Sequence, residues 1–276
     1  MTDSYAVFGN PINHSKSPHI HRHFAEQTGQ DMTYTKQQVP ESEFEQAATE
    51  FFHHGGKGLN ITAPFKLDAY SYAARLTQRA RRAGAVNTLA LQTDGTILGD
   101  NTDGIGMIHD MHNLGWDLRN KRILILGAGG AVRGILQPLL EQEPAQVVIA
   151  NRTLHKAEQL AKGFHDAGDI QPVIYEALAG KTFDVVINGT SASLNDELPP
   201  LPDGLLANGA CCYDMMYGAE PTIFLQWALT HGATHTADGL GMLVGQAAEA
   251  FYVWRQIRPE VVPVINAIRR QLNEKK

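Results

Sequence analysis

Apolar residues in the first hundred positions come in short runs broken by glycine, proline and polar clusters, a pattern of brief strands alternating with brief helices. Tyr5 to Phe8 reads as a strand, Gly9-Asn10-Pro11 as a turn, and Pro18 as the opening of a helix capped by Ser17. Thr33 to Val39 predicts a second strand, and Ser42 with Glu45 a capping box for a helix reaching about Phe52. Gly55-Gly56-Lys57-Gly58 ends that helix. Leu59 to Thr62 then reads as a strand, and Pro64 begins a helical stretch through Lys66 and Tyr70. A further helix closes at Gly84, its last turn carrying Arg79, Arg81 and Arg82 as solvated charges that face the helix dipole. Val86 to Leu91 and Thr96 to Leu98, joined at Asp94-Gly95, carry the signature of a hairpin with a two-residue turn.

From Arg122 the apolar runs become continuous, at 123–126, 147–149, 172–174, 185–187 and 210–213. Strands apolar at every position belong to a parallel sheet covered on both faces, and Ala131 to Leu140 and Leu154 to His165 supply right-handed helical crossovers. This predicts a doubly wound α/β domain. After it, Leu240 to Trp254 and Pro259 to Leu272 are amphipathic helices with no strand between them, so their apolar faces are expected to return to the N-terminal unit. The expected partition is a discontinuous domain of residues 1–103 completed by 238–276, with a second domain inserted at 104–237. The chain would cross between them at Asp103-Gly104 and Asp238-Gly239.

Composition narrows the classes. With 276 residues, 43% of them hydrophobic, the chain can bury a large core, which argues against disorder. A formal charge of −6 with both signs interspersed offers no footprint for nucleic acid. There is no basic-then-apolar leader and no apolar run of membrane-spanning length, so a soluble, cytoplasmic protein without a membrane partner is expected. Cys211 and Cys212 are neighbours in an apolar run, a buried strand residue and its neighbour rather than a disulfide framework. His19, His21 and His23 alternate on one helix, where only His19 and His23 share a face, and no metal site is expected.

Candidate chemistry begins directly after the strand at 123–126, where Gly127-Ala128-Gly129-Gly130-Ala131 turns into a helix. Strand, glycine turn and helix together present backbone N–H groups and a helix N-terminus to a pyrophosphate, the arrangement of a Rossmann-like domain. Val132 occupies the third glycine position of the usual fingerprint, so the loop is a variant. The next strand ends in Asn151-Arg152-Thr153 in place of the carboxylate that would bind the ribose of NAD. A guanidinium pairs with a 2′-phosphate, and Lys156 one turn on adds a second charge, so the site is expected to take NADP(H). Asn151 is also expected to cap the following helix.

A nucleotide domain alone does not define a reaction. In the N-terminal unit, Ser15, Ser17, Asn60, Thr62, Lys66, Asn87, Thr102 and Asp103 fall at strand ends or helix starts, and these hydroxyls and amides suit a small polyhydroxylated substrate. A lysine with an aspartate can move the proton that accompanies hydride transfer.

Ala6 to Ile12 with His14-Ser15-Lys16-Ser17-Pro18, Asn60-Ile61-Thr62-Ala63-Pro64-Phe65-Lys66, Gly84-Ala85-Val86-Asn87-Thr88 and Gly99 to Gly104 resemble the motifs of the shikimate dehydrogenase family. So do Gly127 to Ala131, Asn151-Arg152-Thr153, Tyr213-Asp214-Met215 with Tyr217, and Asp238 to Leu243 through Gln246, in the family's order and nearly end to end. The resemblance implies an α/β enzyme whose N-terminal substrate domain is completed by C-terminal helices and joined to a Rossmann-like NADP-binding domain. It implies reversible, NADPH-dependent reduction of 3-dehydroshikimate to shikimate, on the route to chorismate and the aromatic amino acids. By similarity Lys66 and Asp103 are the catalytic pair. Ser15, Ser17 and Tyr217 match positions that hold the substrate carboxylate, and Asn60, Thr62, Asn87, Asp103 and Gln246 positions that face the ring hydroxyls. Met215 and Gly239 match positions beside the nicotinamide, and Gly127 to Ala131 with Asn151, Arg152, Thr153 and Lys156 match the rest of the cofactor site. The chain departs from the family pattern at Lys156, often arginine, at Ala63, where valine is expected, and at Ala192-Ser193. Lys156 lacks the bidentate fork, which predicts a softer NADP preference. A monomer or homodimer fits this reading. A broader quinate/shikimate dehydrogenase using NAD and a catalytically silent NADP-binding protein are the competing readings; Arg152 argues against the first, and Lys66 with Asp103 against the second.

Overall fold

The computed structural model describes residues 2–192 and 197–274, so Ser193 lies outside the described residues. The short runs at the N-terminus build β1 (Asp3–Gly9), α1 (Ser17–Thr28), β2 (Met32–Gln38), α2 (Phe44–His53), β3 (Gly56–Ile61), α3 (Lys66–Tyr72), β4 (Arg75–Leu76), α4 (Gln78–Ala83), β5 (Thr88–Leu91) and β6 (Ile97–Asp100). Their strands form one sheet in the order β2-β1-β3-β5-β6-β4. It is parallel at β1/β2, β1/β3 and β4/β6, and antiparallel where β5 meets β3 and β6.

The second half follows as α5 (Asp103–Asn113), β7 (Arg122–Leu126), α6 (Gly130–Leu140), β8 (Gln146–Ala150), α7 (Leu154–Gly163), β9 (Ile170–Val173), β10 (Phe183–Asn188), β11 (Leu206–Asp214), α8 (Ile223–Thr230), β12 (His235–Asp238), α9 (Leu240–Arg255) and α10 (Val262–Asn273). The sheet runs β12-β11-β10-β7-β8-β9 and is parallel throughout. The doubly wound order explains the continuous apolar runs. Ile123 and Ile125 pack into a layer with α5, α6 and α7, whereas Leu124 and Leu126 pack into the opposite layer with α8. Strand order reverses between β7 and β10, which opens a crevice at their C-terminal ends.

The last two helices pack on α1. Leu240, Val244, Ala247 and Phe251 of α9 and Val264 and Ile268 of α10 share a core with Ile20 and Phe24 of α1. Helix α9 also crosses α5 at glycine. A Cβ on Gly106 would fall 2.3 Å from the backbone nitrogen of Gln246, and one on Gly245 would fall 2.6 Å from the carbonyl oxygen of Gly106. Asp103 at the start of α5 and Gln246 on α9 are thereby brought to one place.

Several local expectations need correction. Lys16, not Ser17, is the N-cap of α1; Ser17 is already helical, and its N–H donates to Ser15 Oγ (3.3 Å). Helix α2 starts at Phe44 behind Glu43, with no side-chain cap, so the Ser42/Glu45 box does not form. Only Gly55, at φ +91°, breaks the chain there. Gly56 and Gly58 belong to β3, where a Cβ would strike the Phe51 and Trp254 rings at 2.2 Å. The β5–β6 loop holds three residues rather than two, because the N–H of Gln92 donates to the carbonyl of Thr96 and only Gly95 takes positive φ.

The arginines of α4 are not all solvated. Arg79 donates to Asp100 (2.8 and 2.5 Å) and to Glu249 of α9 (3.1 Å). Arg82 lies over Phe164 and donates to Asp166 (2.6 Å) and Gln137 (3.1 Å), tying α4 to the nucleotide side. All four partners lie outside α4, and tertiary pairing overrides the local dipole argument.

Candidate active site

The C-terminal ends of β1 and β3, the first turns of α1, α3 and α5, the loop after β11 and the helix α9 enclose a cavity of about 330 Å³. Ser15, Ser17, Asn60, Thr62, Lys66, Asn87, Asp103, Met215, Tyr217, Gly239 and Gln246 all line it, so residues spread over more than two hundred positions share one space. His14, Lys16, Met242 and Leu243 line it too. His14 and Lys16 were legible only as parts of a motif, whereas Met242 and Leu243 follow from the helical spacing that carries Gly239 and Gln246.

Lys66 begins α3, and its Nζ donates to Asp103 Oδ2 at 2.5 Å. Asp103 begins α5, and its Oδ1 accepts from Asn87 Nδ2 at 2.9 Å. Both side chains are partly shielded, at 34% and 15% exposure, so their attraction is screened less than that of a surface pair. Asn87 is the hub behind them. Its Oδ1 accepts from the N–H (2.9 Å) and hydroxyl (3.1 Å) of Thr102 and from Thr88 Oγ1 (2.9 Å), which fixes the amide so that Nδ2 points to Asp103. The buried Asp100 holds this hub from below: its carbonyl accepts the N–H of Asn87 (3.0 Å) while its carboxylate is neutralised by Arg79. The result is an ammonium and a carboxylate held together in a polar cavity that serine, lysine and tyrosine groups also line.

The expected cofactor residues begin at the end of β7. Gly127 takes φ +100°, open to glycine alone, and leads into α6. Nothing lies within 4 Å of a Cβ built on Gly129 or Gly130, so the glycine turn that starts α6 is open on that side, as close approach of a pyrophosphate requires. Val132 is buried beneath them. The close approach that a third glycine usually allows is supplied from the opposite strand, where a Cβ on Gly189 would fall 2.4 Å from Val132 Cγ2. The Asn188-Gly189-Thr190 sequence after an apolar strand was the available signal for this. Asn188 Oδ1 accepts from Thr190, and the carbonyl of Asn188 accepts from the N–H of Met215 (2.9 Å), which seats Met215 between the two halves.

At the end of β8, Arg152, Thr153 and Lys156 are exposed, and among the described residues neither cation forms an ion pair. The expected cap is different: Thr153 is the N-cap of α7, and Asn151 Nδ2 donates to the carbonyl of Thr153 (2.8 Å) instead of accepting from the helix. This side-chain bond ties the 151–153 turn together, so the guanidinium starts from a fixed backbone. The open glycine cradle and the unpaired Arg152 fit a dinucleotide carrying an extra phosphate.

Behind the cavity, where α5, α9 and β11 meet, Asp110 Oδ2 accepts from the Tyr213 hydroxyl (2.7 Å), whose oxygen accepts the N–H of Met242 (3.2 Å). Burial pushes the Asp110 carboxyl up to about 6; the Tyr213 hydrogen bond opposes this, and Asp238 adds to it. Between about pH 4 and pH 6 the folded chain therefore keeps a proton that the unfolded chain has lost. Stability falls as pH rises through that window, by about 3 kcal/mol when complete. Asp110→Asn is expected to have a Tm difference from the parent that grows in its favour from pH 4 to pH 7. A difference constant across that range in thermal melts would contradict the assignment.

His19 and His23 share a helix face, with Nε2 atoms 3.1 Å apart, and no group of three or more metal-type side chains occurs among the described residues. Cys212 is buried in β11 beside the partly exposed Cys211. No described helix is long and apolar enough to cross a membrane.

A doubly wound parallel sheet with an open glycine turn, facing a polar pocket that contains a lysine–aspartate pair, defines the two-lobed class of dinucleotide-dependent oxidoreductases. Comparison with known proteins resolves the class. Profiles for the shikimate dehydrogenase substrate binding domain, for shikimate/quinate 5-dehydrogenase and for the shikimate 5′-dehydrogenase C-terminal domain match residues 7–89, 110–195 and 239–269. The chain is 72% identical over 276 residues to a shikimate dehydrogenase (NADP(+)) of Cellvibrio japonicus, covering 100% of both. An Ael1 enzyme from Pseudomonas putida superposes with TM-score 0.91 at 48% identity, covering 98% of each chain. The shikimate 5-dehydrogenase of Thermus thermophilus in complex with NADP(H) and shikimate superposes with TM-score 0.86 at 31% identity, covering 98% of this chain and 100% of that one. The chain belongs to the shikimate dehydrogenase family.

Proposed function

We propose that this protein is an NADP-dependent shikimate dehydrogenase that interconverts 3-dehydroshikimate and shikimate, with Lys66 and Asp103 as the proton-handling pair. The observation that carries the reading is the Lys66 to Asp103 contact of 2.5 Å inside a cavity that also holds Ser15, Ser17, Thr62, Asn87, Tyr217 and Gln246. NADPH, when bound, supplies the hydride. The glycine turn at 127–130 and the start of α6 hold the pyrophosphate, and Asn151, Arg152, Thr153 and Lys156 hold the 2′-phosphate end. Met215 and Gly239 bound the space for the nicotinamide.

Ser15, Ser17 and Tyr217 donate to the substrate carboxylate, which fixes the ring so that its carbonyl oxygen meets Lys66 Nζ. Reduction at the carbonyl carbon leaves negative charge on that oxygen. The Lys66 ammonium stabilises the charge and donates the proton, while Asp103 orients the ammonium and takes up the neighbouring hydroxyl. Asn60, Thr62, Asn87 and Gln246 read the remaining ring hydroxyls. In the reverse direction the same lysine accepts the proton. Residues 1–103 with 238–276 form the substrate domain in this reading, and 104–237 the NADP domain. A cytoplasmic location and a monomer or homodimer belong to it, checked by cell fractionation and by light scattering.

The test is a two-by-two assay of initial rates, with shikimate or quinate against NADP or NAD. Turnover concentrated in the shikimate and NADP arm is the expected result. Comparable rates with quinate or NAD would replace this reading by the broader dehydrogenase, and no turnover in any arm would refute it.

A further inference from the structure

His21 and Tyr34 lie under the cavity floor, and neither belongs to the site residues assigned above. His21, on α1, is fully buried; its ring stacks on Tyr34 of β2 at 4.2 Å and 9°, and its Nε2 meets Asn60 Oδ1 at 3.1 Å. The Tyr34 hydroxyl meets the same oxygen at 2.7 Å. The other end of the Asn60 amide leaves no freedom: Nδ2 donates to the carbonyl of Asn87 (3.3 Å) and to Thr88 Oγ1 (3.2 Å). A flipped amide would set its oxygen against the Asn87 carbonyl, so Oδ1 must face His21 and Tyr34, and both must donate. His21 is therefore the Nε2–H tautomer. Its Nδ1, the one buried side-chain polar atom without a partner among the described residues, then carries a lone pair rather than a stranded N–H. Burial holds the ring's proton affinity far down, at about 3, so it stays neutral.

Donor directions now follow one after another. The single Tyr34 proton goes to Asn60 Oδ1. Asn60 Nδ2 donates to Thr88 Oγ1, Thr88 donates to Asn87 Oδ1, and Asn87 Nδ2 donates to Asp103 Oδ1. Every hydrogen bond in this chain points the same way, from the Tyr34 hydroxyl to the Asp103 carboxylate. Bonds aligned in this manner polarise one another.

We propose that His21 and Tyr34 are positioning residues which lock the Asn60 amide at the head of a hydrogen-bond chain running from Tyr34 through Asn60, Thr88 and Asn87 to Asp103. Neither lines the cavity; both hold Asn60 Oδ1, which keeps Nδ2 on the Asn87 carbonyl and on Thr88 Oγ1 at the cavity wall. The proposal rests on the substrate reading given above.

Tyr34→Phe, His21→Leu and His21→Gln, the last keeping a donor near the Nε2 position, test it through steady-state kinetics and direct shikimate titration. Tyr34→Phe and His21→Leu are expected to raise the KM and dissociation constant for shikimate about tenfold, the scale for unpairing one buried polar group. The KM for NADP should stay unchanged, and His21→Gln should recover most of the loss. Shikimate affinity unchanged in both disrupting variants would overturn the proposal, as would equal weakening of shikimate and NADP. Two-bond nitrogen–proton spectra of the wild-type protein supply a measurement independent of the variants: His21 must show a protonated Nε2 and a bare Nδ1, and the opposite tautomer would also overturn it. A wild-type protein that fails to bind shikimate contradicts the substrate reading instead, whatever the tautomer.

Discussion

Lys66→Ala is expected to lower kcat for shikimate oxidation by about 10² to 10⁴-fold, the usual worth of a positioned acid–base group. The lysine does two things that alanine cannot. It brings positive charge to the reacting oxygen, and it exchanges a proton with it from a site where Asp103 Oδ2 holds Nζ at 2.5 Å. Asp103 is held in turn by Asn87 and lies at the start of α5, so it keeps its place without the lysine. NADP is expected to keep its dissociation constant in the variant. Stopped-flow reduction of NADP with a parallel fluorescence titration separates the two quantities. Near-normal turnover in Lys66→Ala would remove the lysine from the chemistry; loss of NADP binding along with turnover would point to a structural role.

Arg152→Ala is expected to weaken NADP by about 10- to 100-fold while leaving NAD nearly untouched, the loss that follows from removing hydrogen bonds to a charged phosphate. The side chain is exposed and free of carboxylate partners among the described residues, so its charge is available to a ligand and sensitive to salt. The NADP-over-NAD ratio should therefore fall with ionic strength in the parent and depend on it less in the variant. Lys156→Ala should show the same pattern with a smaller effect, since an ammonium lacks the planar fork. Titration of both cofactors into each variant decides the matter. Equal losses for NAD and NADP would show that Arg152 supports the turn and not the 2′-phosphate.

The elements most legible in the sequence were those whose stability is local or bilateral. β7, β8, β10 and the second half of β11 carry continuous apolar runs because they are largely buried there, and the glycine turn after β7 sits where strand and helix periodicity meet. α5 was not legible. Its glycines serve close crossings rather than a local pattern: a Cβ on Gly104 would fall 2.6 Å from the carbonyl oxygen of Gly134, and one on Gly106 2.3 Å from the backbone nitrogen of Gln246. β12 was missed because His235 to Asp238 is a polar edge strand defined by its pairing with β11 rather than by an apolar pattern. The Thr222 cap, whose Oγ1 accepts from the N–H of Leu225, was a usable signal for α8 that the reading passed over.

In the site, the residues that line the cavity were legible from motif and resemblance, while those that hold them were not. Arg79 looked like a solvated charge, and only the fold brings Asp100 and Glu249 to it. His21 looked like part of a histidine run, and only the sheet sets Asn60 and Tyr34 against it. Motif spacing carries information about what meets a ligand; the supporting partners come from other elements, at separations no local pattern encodes.

The most direct test of the account is a structure of the ternary complex with shikimate and NADP. The account predicts the carboxylate against the Ser15, Ser17 and Tyr217 hydroxyls, and the hydroxyl to be oxidised about 3 Å from Lys66 Nζ, a hydrogen-bond distance. It also predicts the 2′-phosphate on Arg152. A ring bound in the reverse sense, with its carboxylate at Lys66, or a lysine beyond reach of the reacting oxygen, would contradict it.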